Sequence, residues 1–171
     1  SVSSIVDYAF TEMLNNAIEH SQSEKIDVIM NKTVAEVHFT ITDRGVGIFN
    51  KIMKKKNLTS VLEAIQDLLK GKETTAPDAH SGEGIFFTSR IADCLTIRSF
   101  EKKLVFDNFR EDIYIKDILP VKGTKIDFVM KWNSQKNLAD LFRAYTDDSL
   151  QFSKTGVKVK LYHQDVDYVS R

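Results

Sequence analysis

Apolar residues recur every three or four positions over residues 3–20, which is the spacing of one helix face. The predicted apolar arc consists of Val6, Phe10, Met13, Leu14, Ala17 and Ile18. The opposite arc is polar and consists of Glu12, Asn15, Asn16, Glu19 and His20, with Tyr8 and Ala9 beside it. Ser3 and Ser4 are suitable N-caps, because a serine hydroxyl can accept from a free backbone N–H. The pattern therefore predicts an amphipathic helix that packs its apolar arc against a core.

The next two segments alternate between apolar and polar positions, as strands do. Residues 24–31 and 34–43 are predicted to form two strands joined by a tight turn around Lys32 and Thr33. The apolar positions of the second strand are Val37, Phe39 and Ile41. Successive side chains of a strand point to opposite faces, so Asp43 is expected to point to the same side as these residues, toward the core.

The rest of the chain is predicted to contain both kinds of element around one polar loop, residues 71–82. Helices are predicted at about 48–55, 59–70, 83–93 and 134–145. Strands are predicted at 95–100, 103–109, 123–130 and 156–162, with a short additional strand at 112–116. This order is typical of an α+β fold, in which helices cover one face of a mostly antiparallel sheet.

The composition narrows the class of protein. The chain has 171 residues, and its 24 basic side chains balance its 24 acidic ones, so it lacks the basic excess of a dedicated nucleic-acid-binding domain. The single cysteine, Cys94, excludes an internal disulfide framework and a multi-cysteine metal site; we expect it to be a small core residue beside Ala92 and Leu95. No apolar run reaches the length of a membrane span. We therefore expect a cytoplasmic domain that binds neither a membrane nor nucleic acid.

Three polar residues of the first helix carry candidate chemistry. Glu12, Asn16 and His20 are spaced four residues apart, so they stack along one face. A carboxylate can take a proton from a hydroxyl or water, and an amide oxygen is a hard ligand suited to Mg²⁺. By itself, however, this pattern is more typical of a solvated helix face.

A second motif, Asp43-Arg-Gly45-Val-Gly47-Ile48, directly follows a predicted strand. An inward carboxylate is costly unless something donates hydrogen bonds to it, and the exocyclic amine of a base would do so. The two glycines allow a sharp turn and close approach of a ligand. The alternative is an ordinary turn in which the aspartate caps backbone amides.

Two further glycine motifs occur later in the chain. Ser81-Gly82-Glu83-Gly84 leads into a predicted helix, whose first N–H groups can hold phosphate oxygens. Gly123-Thr124 leads into a predicted strand, and Thr124 shares its inward face with apolar residues. Alone, each motif is equally consistent with a simple helix start or turn.

In their order and spacing, these four motifs resemble those of the ATP-binding domain of the GHKL superfamily, which includes gyrase, a heat-shock chaperone, histidine kinases and mismatch-repair ATPases. The resemblance covers residues 3–131. It implies the two-layer α/β sandwich called the Bergerat fold, with a mixed, mostly antiparallel sheet and ATP bound between the helices and the sheet. The implied cofactors are ATP and Mg²⁺.

The resemblance also implies a role for each matching residue. Asn16 would bind Mg²⁺, Asp43 would accept from the adenine amine, and Thr124 would support that contact through water. His20 and Lys72 would lie near the phosphates, and residues 49–81 would form a mobile lid. The implied ATP-binding residues are Asn16, His20, Asp43, Gly45, Gly47, Ile48, Lys72, Ser81, Gly82, Glu83, Gly84, Ile85, Phe86 and Thr124.

The residue at position 12 separates branches of this superfamily. Glutamate there is typical of the ATP-hydrolysing members and of the anti-sigma serine kinases, so Glu12 is expected to be the general base. Phe86 and Phe87 stand where histidine kinases usually have Leu-x-Leu, and no histidine lies in a phospho-acceptor motif. We therefore expect an ATPase or serine kinase domain of a prokaryotic regulatory protein. The alternative is a non-catalytic module whose lid orders on ATP or ADP and recruits a protein partner.

The sequence suggests three consecutive parts. Residues 1–131 are expected to form the ATP-binding domain, and 132–150 a helical extension. Residues 151–171 are expected to add a strand or to begin a STAS-like domain, whose opening they resemble. Flanking domains or a regulatory protein are the expected partners.

Overall fold

The computed structural model describes residues 1–70, 80–145 and 159–162. The helices in these ranges are α1 (Val2–His20), α2 (Ile48–Lys56), α3 (Val61–Leu69), α4 (His80–Ile91) and α5 (Leu138–Ala144). The strands are β1 (Ile26–Lys32), β2 (Glu36–Asp43), β3 (Cys94–Asp107), β4 (Asp112–Lys131) and β5 (Lys160–Tyr162). The predicted α+β class is confirmed.

The five strands form one mostly antiparallel sheet in the order β1-β2-β4-β3. Strand β4 lies between β2 and β3: its last residues, Lys125 to Lys131, pair with β2, and most of Asp112 to Val129 pairs with β3. Strand β5 pairs in parallel with Tyr114, Ile115 and Lys116 of β4. This topology brings the end of β2, where Asp43 lies, beside the Thr124 region of β4.

One face of the sheet carries the core. Burial alternates strictly along β2, with Val37, Phe39 and Ile41 inside. The ring of Phe39 stacks on that of Phe128 with centroids 4.6 Å apart, and Phe10 of α1 packs edge-on to it at 5.3 Å. Buried residues of α1, α3 and α4 join the same hydrophobic cluster. The helices therefore cover one side of the sheet, as the alternation predicted.

Helix α1 differs slightly from its predicted form. It begins at Val2, and Ser1 is its N-cap, because the Ser1 side chain accepts from Ser4 N at 3.3 Å. Ala9 is fully buried, whereas Ile18, predicted on the apolar arc, is 60% exposed. The arc that packs is therefore rotated toward Ile5 and Ala9 relative to the predicted arc.

The predicted strands at 95–100 and 103–109 are one continuous strand, β3, and those at 112–116 and 123–130 are both part of β4. The pairing register shifts on either side of Phe100, which has a positive φ of 51°. Such a bulge interrupts the two-residue alternation. The sequence pattern therefore indicated two separate strands on each side of the hairpin.

Three other predictions need correction. Helix α4 begins at His80 rather than at residue 83, so part of the predicted polar loop is helical. Helix α5 is shorter than predicted, because Asn137 caps it by accepting from Ala139 N at 2.7 Å. Cys94 is not a core residue: it is half-buried, and its burial raises the pKa of the thiol.

The described part of the predicted lid, residues 49–81, consists mainly of α2 and α3, together with the first residues of α4. Helix α3 contributes Ala64, Ile65 and Leu68 to the core, so this part of the segment is packed. Residues 71–79, which include Lys72, lie outside the described residues. In the part of the chain that the structure describes, no helix has the length and apolar character needed to cross a membrane.

Candidate functional site

Asp43 lies at the end of β2 and is only 4% exposed, as strand alternation predicted. Its Oδ1 accepts from Gly45 N at 3.0 Å and from Thr124 N at 3.3 Å. Among the described residues, both hydrogen bonds to this carboxylate fall on Oδ1. Oδ1 therefore caps the turn, as the alternative interpretation of this motif expected, and Oδ2 is left with its capacity to accept a hydrogen bond.

Gly47 joins the Asp43 turn to α2 in a conformation that favours glycine. Its φ is 79°, and a Cβ there would lie 2.7 Å from Ser99 Oγ. Gly45 packs against the end of α1, where Val46 N donates to Ser21 O at 2.8 Å. Both glycines therefore permit close backbone packing, which holds the turn between α1 and the sheet.

Thr124 is buried and connects the sheet to the start of α2. Its Oγ1 accepts from Ile48 N at 2.8 Å, so it satisfies one of the backbone donors that a helix N-terminus leaves free. A hydroxyl that accepts in this way still has its own hydrogen to donate. Thr124 is therefore placed to act on both the turn and a ligand near Asp43.

Ser99 was missed by the sequence analysis. It pairs with Thr124 across the two strands and is fully buried. Its Oγ has no hydrogen-bond partner among the described residues. Strand alternation from Leu95 and Ile97 would have placed it on the inward face, but a serine next to a bulge gave no chemical signal.

Glu12 and Gly84 meet where α1 packs on α4. A Cβ on Gly84 would lie 3.0 Å from Glu12 Cδ and would overlap the carboxylate oxygen Oε2. The absence of a side chain at position 84 therefore makes room for the Glu12 carboxylate beside the start of α4. Two motifs that are 72 positions apart in the sequence lie in contact here.

Tyr8 belongs to the same corner and was not predicted as a site residue. It lies one helical turn before Glu12. Burial raises the pKa of Tyr8, and the negative charges of Glu12 and Glu83 raise it further. The phenol is therefore held in its neutral, protonated form near two carboxylates.

Asn16 lies one turn after Glu12 on the same helix. Its Nδ2 is buried and has no hydrogen-bond partner in the described ranges. A buried polar group without a partner is uncommon in folded proteins. The Asn16 amide therefore has a hydrogen-bonding group that the described residues leave unused.

His20 ends α1 beside a basic stretch of α2. Lys51 Nζ donates to His20 O at 3.1 Å. Burial, and then the Lys51 ammonium, lower the pKa of His20; burial and Lys55 lower the pKa of Lys51. Residues 51–56 were predicted to belong to the lid, with no site residue among them, but the Lys51 side chain contacts the end of α1.

The remaining candidates lie along α4 and α2. Ser81 and Gly82 belong to the first turn of α4, and Ile48 begins α2. Ile85 and Phe86 are buried, with exposures of 3% and 8%. Their side chains thus pack inside the fold, and a role in ligand binding would fall to the backbone at the start of α4.

No group of three or more His, Cys, Asp or Glu side chains that could hold a metal occurs in the described ranges. An ion at Asn16 would therefore take one amide oxygen from the protein and its other ligands from phosphate and water. Mg²⁺ fits that set, because it keeps several waters and is commonly held by few protein ligands together with substrate phosphates.

Comparisons with known proteins place the chain in a family. Residues 2–105, more than half of the chain, match the family model described as "Histidine kinase-like ATPase domain". No curated protein matches the chain. It is similar in structure to the 43K ATPase domain of Thermus thermophilus gyrase B in complex with an aminocoumarin, with 14% identity and a TM-score of 0.46. That alignment covers 91% of this chain and 42% of the gyrase chain, so the chain spans less than half of that structure. On the family match, the chain belongs to the histidine kinase-like ATPase family.

Proposed function

We propose that the chain binds ATP with Mg²⁺ between α1, the Asp43 turn and the starts of α2 and α4. The observation that carries this proposal is the Asp43 carboxylate: it is buried, Oδ1 is bound by two backbone donors, and Oδ2 remains as an acceptor. The exocyclic amine of adenine supplies the matching donor. Guanine presents a carbonyl at the same ring position, so this pocket favours adenine.

The phosphate end of the pocket is formed by α1 and the start of α4. Backbone N–H groups at a helix start attract phosphate oxygens, and Ser81, Gly82 and Gly84 lie in the first turns of α4. His20 adds a titratable base at the end of α1. Lys72 is proposed to reach the phosphates from the lid, on its sequence position alone.

Asn16 is the proposed Mg²⁺ ligand. Its Nδ2 is buried without a hydrogen-bond partner among the described residues, and a half-turn about χ2 exchanges the positions of its nitrogen and oxygen. The bound ion would neutralise phosphate charge and polarise the γ-phosphate. Replacing Asn16 by alanine should remove the Mg²⁺ dependence of nucleotide affinity.

Glu12 is the proposed general base. Its carboxylate lies beside the start of α4, where the γ-phosphate would be held. There it would take the proton of an attacking water or of a serine hydroxyl from a partner protein. The two reactions share this step and differ in whether the phosphate is released or transferred to protein. The family match supports the ATPase class, and we propose that the chain serves as the nucleotide-binding unit of a regulatory protein.

Calorimetric titration with ATP, with and without Mg²⁺, tests the binding proposal. Mg²⁺-dependent binding in the wild type and Mg²⁺-independent binding in Asn16→Ala are expected. Unchanged Mg²⁺ dependence in the variant would assign the metal to another residue. Absence of binding in both conditions would refute the site.

The fate of γ-labelled ATP tests the chemistry. We expect Glu12→Gln to slow loss of the γ-phosphate at least ~100-fold, because general bases commonly contribute that much, while ATP still binds. Asp7→Asn is the matched control, because Asp7 is an exposed carboxylate on the same helix. ATP bound but never consumed by the wild type would favour the alternative, a nucleotide-dependent module that recruits a protein.

A further inference from the structure

Helix α5 packs an aromatic side chain into the junction between α1 and α4. The ring of Phe142 lies edge-on to Tyr8 of α1, with centroids 5.6 Å apart and planes at 79°. It lies edge-on to Phe87 of α4 at 4.7 Å and 83°. Edge-to-face rings at these distances are in attractive contact. One side chain of α5 therefore touches both helices that form the Glu12 corner.

A second aromatic residue attaches α5 to α4 alone. Tyr145 follows α5 and packs edge-on to Phe86 at 5.2 Å and 90°. The Arg90 guanidinium lies 5.2 Å from the centre of the Phe86 ring and 5.9 Å from that of Tyr145. Among the described residues, the ring contacts of Tyr145 are all with α4. It thus makes the same kind of ring contact as Phe142, but with α4 and not with α1.

Tyr8 links Phe142 to the proposed base. It precedes Glu12 by four residues, so the two side chains are neighbours on one face of α1. Its neutral phenol lies close to the charges of Glu12 and Glu83, and Glu12 in turn lies against Gly84. A series of neighbouring side chains therefore runs from α5 through Tyr8 to the Glu12 carboxylate.

Resting on the proposed role of Glu12, we propose that Phe142 is a positioning residue: it holds Tyr8 in the α1–α4 junction and thereby keeps Glu12 beside the start of α4. Helix α5 lies outside residues 2–105, the range that matches the family. The family match therefore does not include α5. Through the contact of Phe142 with Tyr8, the position of α5 would control turnover. Displacing α5 would slow the chemical step and leave the adenine end of the pocket unchanged.

The experiment compares alanine substitutions of two aromatic side chains, Phe142 and Tyr145. The measured quantities are the rate of γ-phosphate loss and the ATP affinity by calorimetry. Phe142→Ala should lower kcat about tenfold, which corresponds to 1.4 kcal/mol of positioning, with the Kd for ATP within about twofold of the wild type. Tyr145→Ala, the matched control, should keep kcat within about twofold. Phe142→Tyr keeps the ring and should restore kcat.

Phe142→Leu keeps apolar volume while removing the ring, and it serves if Phe142→Ala does not fold. Equal losses of kcat in the Phe142 and Tyr145 variants would overturn the proposal, because α5 would then act only through overall stability. So would unchanged kcat in Phe142→Ala and Phe142→Leu while Glu12→Gln is inactive. Full turnover by Glu12→Gln would instead refute the role of Glu12, and the positioning proposal with it.

Discussion

Replacing Gly84 by alanine tests whether the space beside Glu12 is needed for chemistry. The three heavy atoms nearest to a Cβ at this position all belong to the Glu12 side chain, with Cδ at 3.0 Å and Cβ at 3.2 Å. The Oε2 and Cδ atoms that block this position belong to the flexible part of one side chain and can move aside, whereas the Glu12 Cβ remains in tight contact. We expect Gly84→Ala to fold but to displace the Glu12 carboxylate and lower turnover by at least ~100-fold.

The stability change separates this cause from general damage. Alanine in a helix interior is favoured over glycine by about 0.5–1 kcal/mol, but in the wild type this gain is offset by displacing Glu12. In a Glu12→Ala background the carboxylate is absent and only the Cβ of residue 12 remains near, so Gly84→Ala should raise the free energy of unfolding by up to about 0.5–1 kcal/mol. The sign or size of the effect should thus depend on residue 12.

The measurement is urea unfolding of the wild type, Gly84→Ala, Glu12→Ala and the double variant, together with the rate of γ-phosphate loss. Two results would refute the reasoning. One is wild-type turnover in Gly84→Ala, which would mean that the Glu12 carboxylate is not needed where it lies. The other is an identical stability change in both backgrounds, which would mean that the two residues do not interact.

Three further predictions concern the rest of the site. Asp43→Asn should reduce the preference for ATP over GTP by roughly 10–100-fold, since hydrogen bonds to charged groups contribute about 1.5–3 kcal/mol; an unchanged ratio of the two affinities in calorimetry would contradict it. Gly47→Ala should lower the free energy of unfolding in urea by about 1–3 kcal/mol, because the φ of 79° and ψ of 135° favour glycine and the new Cβ would meet Ser99; wild-type stability would contradict it. Burial and Lys51 lower the pKa of His20, so the unfolded chain binds that proton more tightly. The free energy of unfolding should therefore fall as pH drops from about 6.5 through the lowered pKa. Denaturation curves of His20→Asn should show a smaller fall in the free energy of unfolding over the same pH range.

The inward placement of Asp43 and Thr124 could be predicted because it depends only on strand alternation. Each strand contains a run of apolar residues two apart, and each polar residue continues that run. The structure shows both side chains buried. Their contacts with a nucleotide stay a prediction, as do the domain boundaries at residues 131 and 150.

The bulge at Phe100 and the contact between Glu12 and Gly84 could not be predicted from local pattern. A bulge changes the alternation at one position, and the sequence then resembles the end of one strand and the start of another. The Glu12 contact depends on how α1 lies on α4, which no periodicity specifies. Tyr8 and Ser99 were missed for the same reason, because their neighbours come from other elements.

The two ends of the proposed pocket are held by different interactions. The Asp43 end is fixed by hydrogen bonds from backbone N–H groups to the Asp43 and Thr124 side chains, whereas the Glu12 end depends on side-chain packing of α1, α4 and α5 through Phe142. Sites without shared partners contribute nearly additively. The double variant Asp43→Asn/Phe142→Ala should therefore lose as much base selectivity as Asp43→Asn alone and as much kcat as Phe142→Ala alone. If either loss differs from that of the single variant by more than about threefold, α5 also acts on the adenine end, and the two ends of the pocket are not independent.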